Sequence, residues 1–583
     1  MSAAAVAPLA ACATPPSGSS TDAAFADTSA QWLDGSIRLS PINATQLGDH
    51  RFDGEMDAIG ADGQAARKAQ RDSTLAALAA FDPATLSPAN QVDAALMRNE
   101  IMLQRWHDER GETYAWDPLI YTGQAGGSLY GLMAREFAPL PERLMSAAQR
   151  MAKLPDYLAA ARGNLDPARV PLVHAETAVR QNPGAASIID DMILAQADAL
   201  SGSDRAALVA AAERAKAALE AHQRWLTETL VPNARGDFRL GAANYDEKLS
   251  RALNSPMTRA DLTQQARTAL EQTRADMYEI AAQYVAGTTG GPPTPASATP
   301  EQQQAVIQAA LQVAYAQRPA RDQVVAEARA TLAESTAFVR EHNLITLPDA
   351  PVQVIIMPEF QQGVAVAYCD SPGPLDRGLD TFYAVSPIPA SWSEEQTASF
   401  LREYNSRSIH ELTVHEAMPG HYVQLWHANR YPSVTRAVLS SGSFIEGWAC
   451  YAQDMMGEEG YFGGDPLRAL INKKWALRVI ANAILDPSIH VDGMEREEAM
   501  RLMTVSAFQE EREAAGKWIR AQVSSTQLPT YFVGWREHFA LREEAKRRWG
   551  AQFDLKRYHD TALSFGSPPG RYVRALMFGE PIG

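Results

Sequence analysis

The sequence predicts a mainly α fold carrying one small β-sheet. Long Ala- and Leu-rich stretches place apolar residues at intervals of three and four, the spacing that lines one face of a helix. A single stretch, Val352 to Pro387, changes to short runs of β-branched and aromatic residues. No segment repeats at a fixed period, which sets aside a solenoid.

Taken in order, Ala66 to Phe81, Asn90 to Arg110, Pro141 to Asn164, Arg205 to Leu230 and Thr258 to Ala286 each read as a helix. Arg, Glu, Asp and Gln fill their other faces. Gly287 to Pro300, rich in Gly, Thr and Pro, reads as a loop. It divides the chain into a tether (1–27), a helical N-terminal part (28–286), the loop (287–302) and a catalytic part (303–583). Three strands are expected next: Val352 to Met357, Gly363 to Tyr368 and Thr381 to Val385. Such a sheet either supports the helix after it or holds an extended ligand by main-chain hydrogen bonds. Helix returns after Ser391, where Ser393 and Gln396 have capping-box spacing. Ser441 to Met456 is a further helix, with Gly457 as its stop.

The chemistry gathers in His415-Glu416-Ala417-Met418-Pro419-Gly420-His421. Two imidazoles and a carboxylate are a common ligand set for a catalytic divalent metal, usually zinc. A Glu directly after the first His suits a general base that takes a proton from the attacking water. The usual pattern, however, puts the second His about four residues on, one helical turn away. Here it is six residues on, which an unbroken helix would carry to another face. Pro419 and Gly420 resolve this if the helix breaks there, since Pro clashes with the carbonyl one turn back and Gly accepts unusual backbone angles. Glu411 offers an alternative, because it shares a face with His415 without distortion. It is kept as a partner behind the ligands or as a reserve ligand. Glu446, in the apolar run Phe444-Ile445-Glu446-Gly447-Trp448, is the candidate third ligand. A carboxylate among such neighbours needs a partner or a metal.

These residues resemble a known family. His415 to Gln424, followed by Glu446-Gly447-Trp448-Ala449 and Tyr451, is similar to the bacterial domain-of-unknown-function 885 family. So are Leu47 to Asp53, Arg239-Leu240-Gly241 with Tyr245 and Leu249, Ile489-His490, Gln527 with Tyr531 and Gly534, and Tyr558-His559-Asp560. The chain departs from the family pattern at Pro487-Ser488, at Ser525-Thr526, and at Lys517, where a carboxylate is expected. The resemblance implies a helical, zincin-like zinc metallopeptidase: Zn2+ on His415, His421 and Glu446, with Glu416 as general base. Tyr531 is then the leading donor to the transition-state oxyanion, with His490 second and His559 third. Arg520 is a candidate for binding a substrate carboxylate, and Gln527 and His559 are further candidates on the substrate side. Two other readings stay open: an exported binding or scaffold lipoprotein with a non-catalytic metal site, and a metal-dependent amidase acting on small non-peptide amides.

Of the 583 residues, 46% are apolar and 21% charged, which is ordinary for a globular protein. The net charge of −16 argues against a nucleic-acid partner, which needs a basic surface. Three cysteines make no disulfide framework. Cys450 reads as a small core residue. Cys12 ends Leu9-Ala10-Ala11-Cys12, which resembles a bacterial lipobox, and a Ser/Thr/Pro/Ala tether follows it. The expectation is an exported, periplasmic protein with a lipid anchor at Cys12. No other segment approaches the ~18 unbroken apolar residues of a membrane-spanning helix.

Overall fold

The computed structural model describes residues 20–286, 291–295, 297–357 and 366–582. The lipobox-like segment at Cys12 and residues 287–290 and 296 of the loop lie outside them. Helices dominate, and they fall where the apolar spacing predicts: Ala61–Ala79, Pro88–Glu109, Leu140–Asn164, Gly202–Trp225 and Arg259–Ala286. Their starts follow local chemistry. The Ser87 hydroxyl accepts the Asn90 amide, and Pro88 sits at the first helical position, where no amide hydrogen is needed. Ser393 and Gln396 exchange both bonds of a capping box, at 3.2 and 3.0 Å.

The sheet has three short strands, β1 (Gln353–Ile356), β2 (Ala367–Asp370) and β3 (Phe382–Val385), in the order β1-β3-β2. β1 runs parallel to β3 and β2 antiparallel to it, so Val354 and Cys369 both face Tyr383 in register. The second strand begins four residues later than Gly363, and Gly363 to Ala365 lie outside the described residues. Tyr383, fully buried, reaches out of the sheet to the Thr413 hydroxyl at 3.2 Å, which fixes the sheet against the helix that carries His415.

Separate apolar cores form in different stretches of the chain. One core runs from Ile59 to Ala234. Another joins Tyr245, Met277 and Val285 to Leu311, Leu477, Ile480 and Phe532. The helices Gly241–Leu253 and Arg259–Ala286 therefore pack with helices that follow the loop at 287–302. The reason is apolar burial: the faces of these helices match the long helix Pro466–His490, whereas a Gly/Pro-rich loop can be inserted at little cost. A buried ion-pair set ties that long helix to its neighbours. Lys474 donates to Glu403 at 2.7 Å, and Arg478 pairs with both Glu403 and Glu513. Among the described residues no helix is long and apolar enough to cross a membrane.

Candidate metal centre

The helix Ser406–Glu416 starts on Asn405, whose side-chain oxygen accepts the amides of Arg407 and Ser408 at 3.1 and 3.3 Å. It stops just after Glu416, where the Thr413 carbonyl accepts both Ala417 and Met418 amides. The Met418–Pro419 peptide is cis. Gly420 then packs backbone against backbone, since a Cβ there would lie 1.9 Å from the His415 carbonyl oxygen. The Trp448 indole donates to the Pro419 carbonyl at 2.8 Å and holds the turn. A new helix, His421–Ala428, begins at once. The break predicted at Pro419-Gly420 is there, and it brings the two imidazoles to a 4.8 Å centroid separation, nearly perpendicular.

Both rings aim Nε2 at one carboxylate oxygen. Glu446 Oε2 lies 3.6 Å from His415 and 3.4 Å from His421, and the three ligand atoms fit within 4.8 Å of one another. Ligands at ~2.0–2.2 Å around a tetrahedral ion are separated by about 3.3–3.6 Å, which the two imidazole–carboxylate separations match. Glu446 Oε2 is buried with no hydrogen-bond partner in the protein, the condition a cation would relieve. Burial would raise the Glu446 carboxyl, yet the two adjacent imidazoles outweigh it and hold the group well below the usual carboxylate range.

Behind His415 stands a residue the sequence reading missed. Gln453 Oε1 is 3.2 Å from His415 Nδ1, so Nδ1–H donates to it and Nε2 is left as the ligand lone pair. Gln453 in turn donates to the Glu411 carboxylate at 3.2 Å, and Asn472 does the same at 3.2 Å. Glu411 is thus a support that works through Gln453, neither a direct partner of the imidazole nor a member of the ligand cluster. Burial pushes its carboxyl up to about 8, against the Asn472 and Gln453 amides, whose hydrogen bonds pull it down. The signal for Gln453 was its position seven residues after Glu446, on the same helical face.

Glu416 closes its helix, buried, facing β2: burial first, and then the Glu416 charge, push the Cys369 thiol pKa up. Tyr531 arrives on the helix Pro529–Trp549, which crosses the Glu446 helix, Gly442–Glu458, glycine on glycine. A Cβ on Gly534 would lie 1.6 Å from the Ser443 carbonyl oxygen, and one on Gly447 would lie 2.2 Å from Gly534. The close crossing places the Tyr531 ring 6.4 Å from the His415 ring, nearly parallel. The phenol oxygen accepts from Arg520 at 3.2 Å and from Gln527 at 3.4 Å, and Arg520 donates to Gln527 at 2.9 Å. Three residues named from the sequence therefore meet beside the ligands. Because the phenol accepts both bonds, its own hydrogen is not spent on them. Burial, reinforced by the Glu446 charge, raises the phenol pKa and keeps that hydrogen in place.

Two candidates are not brought to this cluster. His490 turns its Nε2 to the Ala521 and Ser524 carbonyls at 2.9 and 2.8 Å and stacks on Tyr245. Asp486, one turn before it, accepts the Tyr245 hydroxyl at 2.6 Å and the Thr526 amide at 2.9 Å. The pair secures the turn that leads into Gln527. His559 is a core residue on the other side of the Glu446 helix. Its Nδ1–H donates to Leu344 at 2.8 Å, and its Nε2 accepts from the Tyr451 hydroxyl at 2.7 Å. Burial takes its pKa down to about 4. With both nitrogens engaged in the core, it has none to offer a substrate.

The overall fold is shared with proteins of known structure. A candidate lipoprotein of unknown function from Shewanella oneidensis, of known structure, is 36% identical, covering 95% of this chain and 99% of its own, with a TM-score of 0.79. A second candidate lipoprotein, from Colwellia psychrerythraea, is 17% identical over 96% of this chain and 99% of its own, and shares the fold at a TM-score of 0.76. No functionally curated protein matches. The family model described as bacterial protein of unknown function (DUF885) matches residues 41–577, and the chain belongs to that family.

Proposed function

We propose that the protein is a zinc-dependent hydrolase cleaving peptide bonds, exported and anchored as a lipoprotein through Cys12. The reading is carried by one observation: His415, His421 and Glu446 converge within 4.8 Å, with Glu416 next in sequence to the first ligand. Three protein ligands suit a catalytic ion, whereas structural zinc sites are usually closed by four. A zinc ion bound there supplies Lewis acidity, polarising the scissile carbonyl and acidifying water. Glu416 takes the proton from the attacking water and passes it to the leaving amine. Tyr531 donates its phenolic hydrogen to the oxygen on which charge develops. Arg520 and Gln527 hold that phenol in place, and Gln453 fixes the His415 ring. The anchor is supported by the lipobox-like Leu9-Ala10-Ala11-Cys12 and by the two similar proteins described as candidate lipoproteins.

Metal analysis of purified protein tests the ligands. About one zinc per chain is expected, lost or greatly weakened in His415→Ala, His421→Ala and Glu446→Ala. Full occupancy in all three would sink the assignment. Incubation with a peptide library tests the reaction: wild type cleaves, while Glu416→Gln keeps its zinc and loses about 10²–10⁴ in rate.

A further inference from the structure

The helix Glu511–Val523 carries two basic residues, Lys517 and Arg520, three positions apart and so on one face. Lys517 is only 5% exposed, and a lysine is rarely so buried unless it is paired. Its ammonium donates to the Asn482 side-chain oxygen at 3.2 Å, and among the described residues it forms no ion pair. Arg520 is partly exposed and in the same condition. One terminal nitrogen donates to Gln527 at 2.9 Å and to the Tyr531 phenol at 3.2 Å, both neutral partners, and among the described residues it too forms no ion pair. The carboxylates close by are already engaged. Glu513, one turn before Lys517, is turned to Arg478 and accepts the Tyr404 hydroxyl at 3.0 Å. Glu403 accepts from Lys474 at 2.7 Å and pairs with Arg478 at 3.7 Å. Four cations, Lys474, Arg478, Lys517 and Arg520, thus share two carboxylates, and both carboxylates are spent on the first two cations.

An anion is therefore missing on the side where Lys517 and Arg520 lie. Burial, with Arg478 and Arg520 behind it, holds the Lys517 ammonium well below the usual lysine range, and an arriving anion would reverse that. The place of this unmatched charge is set by Tyr531. The Arg520 nitrogen is 3.2 Å from the phenol oxygen. A phenol hydrogen bond to the substrate oxygen spans ~2.7 Å, which puts the guanidinium within about 6 Å of the scissile carbonyl oxygen. A peptide advances ~3.3–3.6 Å per residue. A carboxylate one or two residues beyond the scissile bond then falls within reach of Arg520, whose planar fork suits a carboxylate, with Lys517 as a second charge on the same face.

We propose that Lys517 and Arg520 together bind a substrate carboxylate one or two residues beyond the scissile bond, supplied by the free C-terminus of a short peptide or by an acidic side chain at that place. The assignment rests on the peptidase reading above. It is tested with the zinc-loaded full chain at about pH 7, where carboxylates are ionised, on peptides sharing one scissile pair. One ends in a free carboxylate two residues after the bond. The second is its C-terminal amide, and the third is that amide with Glu as the last residue. Wild type should prefer the free acid, the Glu amide or both over the plain amide by at least about tenfold in kcat/KM. The preferred peptide names the source of the carboxylate. Lys517→Met and Arg520→Gln, each checked for zinc content and melting temperature, should cut the preference to about threefold or less. The ratio separates this role from the support Arg520 gives Tyr531, because a displaced phenol slows all three peptides alike. If Lys517→Met does not fold, Arg520→Gln and the wild-type comparison decide. No preference in wild type, or an undiminished one in either folded variant, overturns the shared subsite and leaves the hydrolase reading standing. If wild type cleaves no peptide, the hydrolase reading fails and binding decides: fluorescence anisotropy of the three peptides, labelled, on wild type and both variants. Tighter binding of a carboxylate-bearing peptide to wild type than to the variants supports the subsite. Equal binding, or none to wild type, overturns it.

Discussion

At the residue scale the candidate centre depends on the side chains behind the His/Glu cluster as much as on the cluster itself. His415 can present Nε2 only while Nδ1–H is held by Gln453, and Gln453 is itself aligned by Glu411. Replacing Gln453 by Leu keeps the bulk and removes the acceptor, so zinc affinity should fall by about 10–100-fold. Competition against a chelator measures this, and unchanged affinity would mean the ring needs no such support. Tyr531 makes a different demand. Its hydroxyl matters once negative charge develops on the substrate, so Tyr531→Phe should lower kcat by roughly 10–1000-fold with little change in KM. Zinc content should stay the same, because Phe keeps the ring beside His415. A drop in melting temperature with full turnover would make the hydroxyl a structural partner of Arg520 and Gln527.

At the element scale two devices bring the site together. The first is the helix break at Pro419-Gly420, legible in the sequence because Pro and Gly act on the local backbone. The second is the crossing of Gly442–Glu458 with Pro529–Trp549, which sets Glu446 against Tyr531. Gly447 and Gly534 stand in the sequence as motif residues, but nothing local says that they meet. Since a Cβ at Gly534 would fall 1.6 Å from the Ser443 carbonyl oxygen, Gly534→Ala must push the helices apart. The expected loss is about 3 kcal/mol or more, as for severe overpacking, seen as a lowered melting temperature together with weakened zinc binding. A variant as stable and as zinc-competent as wild type would show that the crossing can relax without disturbing Glu446.

At the scale of the whole molecule, distant parts of the chain meet through single contacts. His50 pairs with Asp376, more than three hundred residues away, and joins the first helices to the loop after β2. Burial opposes the protonated ring, but hydrogen bonds to Asp376 and Asp53 outweigh it and raise its pKa to about 9. A group titrating above its ordinary value of 6.5 stabilises the fold fully below about pH 6.5, and that contribution is lost as pH rises through about 9. With the ring partly exposed, the contribution is about 1–3 kcal/mol. The melting temperature of wild type should therefore exceed that of His50→Gln at pH 6, with the gap closing by about pH 9.5. A gap that does not change with pH would remove the charge from the clamp.

The sequence by itself determined what is local or periodic. Apolar spacing located the long helices, β-branched runs located the sheet, and Pro419-Gly420 located the break. The candidate ligand cluster could be read because His415, Glu416 and His421 are neighbours in the chain, and Glu446 stands out as a carboxylate among apolar residues. Only the tertiary structure decided what depends on which faces meet. It gave His415 its partner in Gln453 and put Arg520, Gln527 and Tyr531 together. It turned His559 into the core and His490 onto backbone carbonyls, and it packed the helices just before the Gly/Pro-rich loop against the long helix that follows it. The physical reason is common to all of these: backbone conformation and amphipathic pattern are set by residues a few positions apart, whereas a side chain's partner is set by helix packing, which depends on shape and buried area summed over the whole chain.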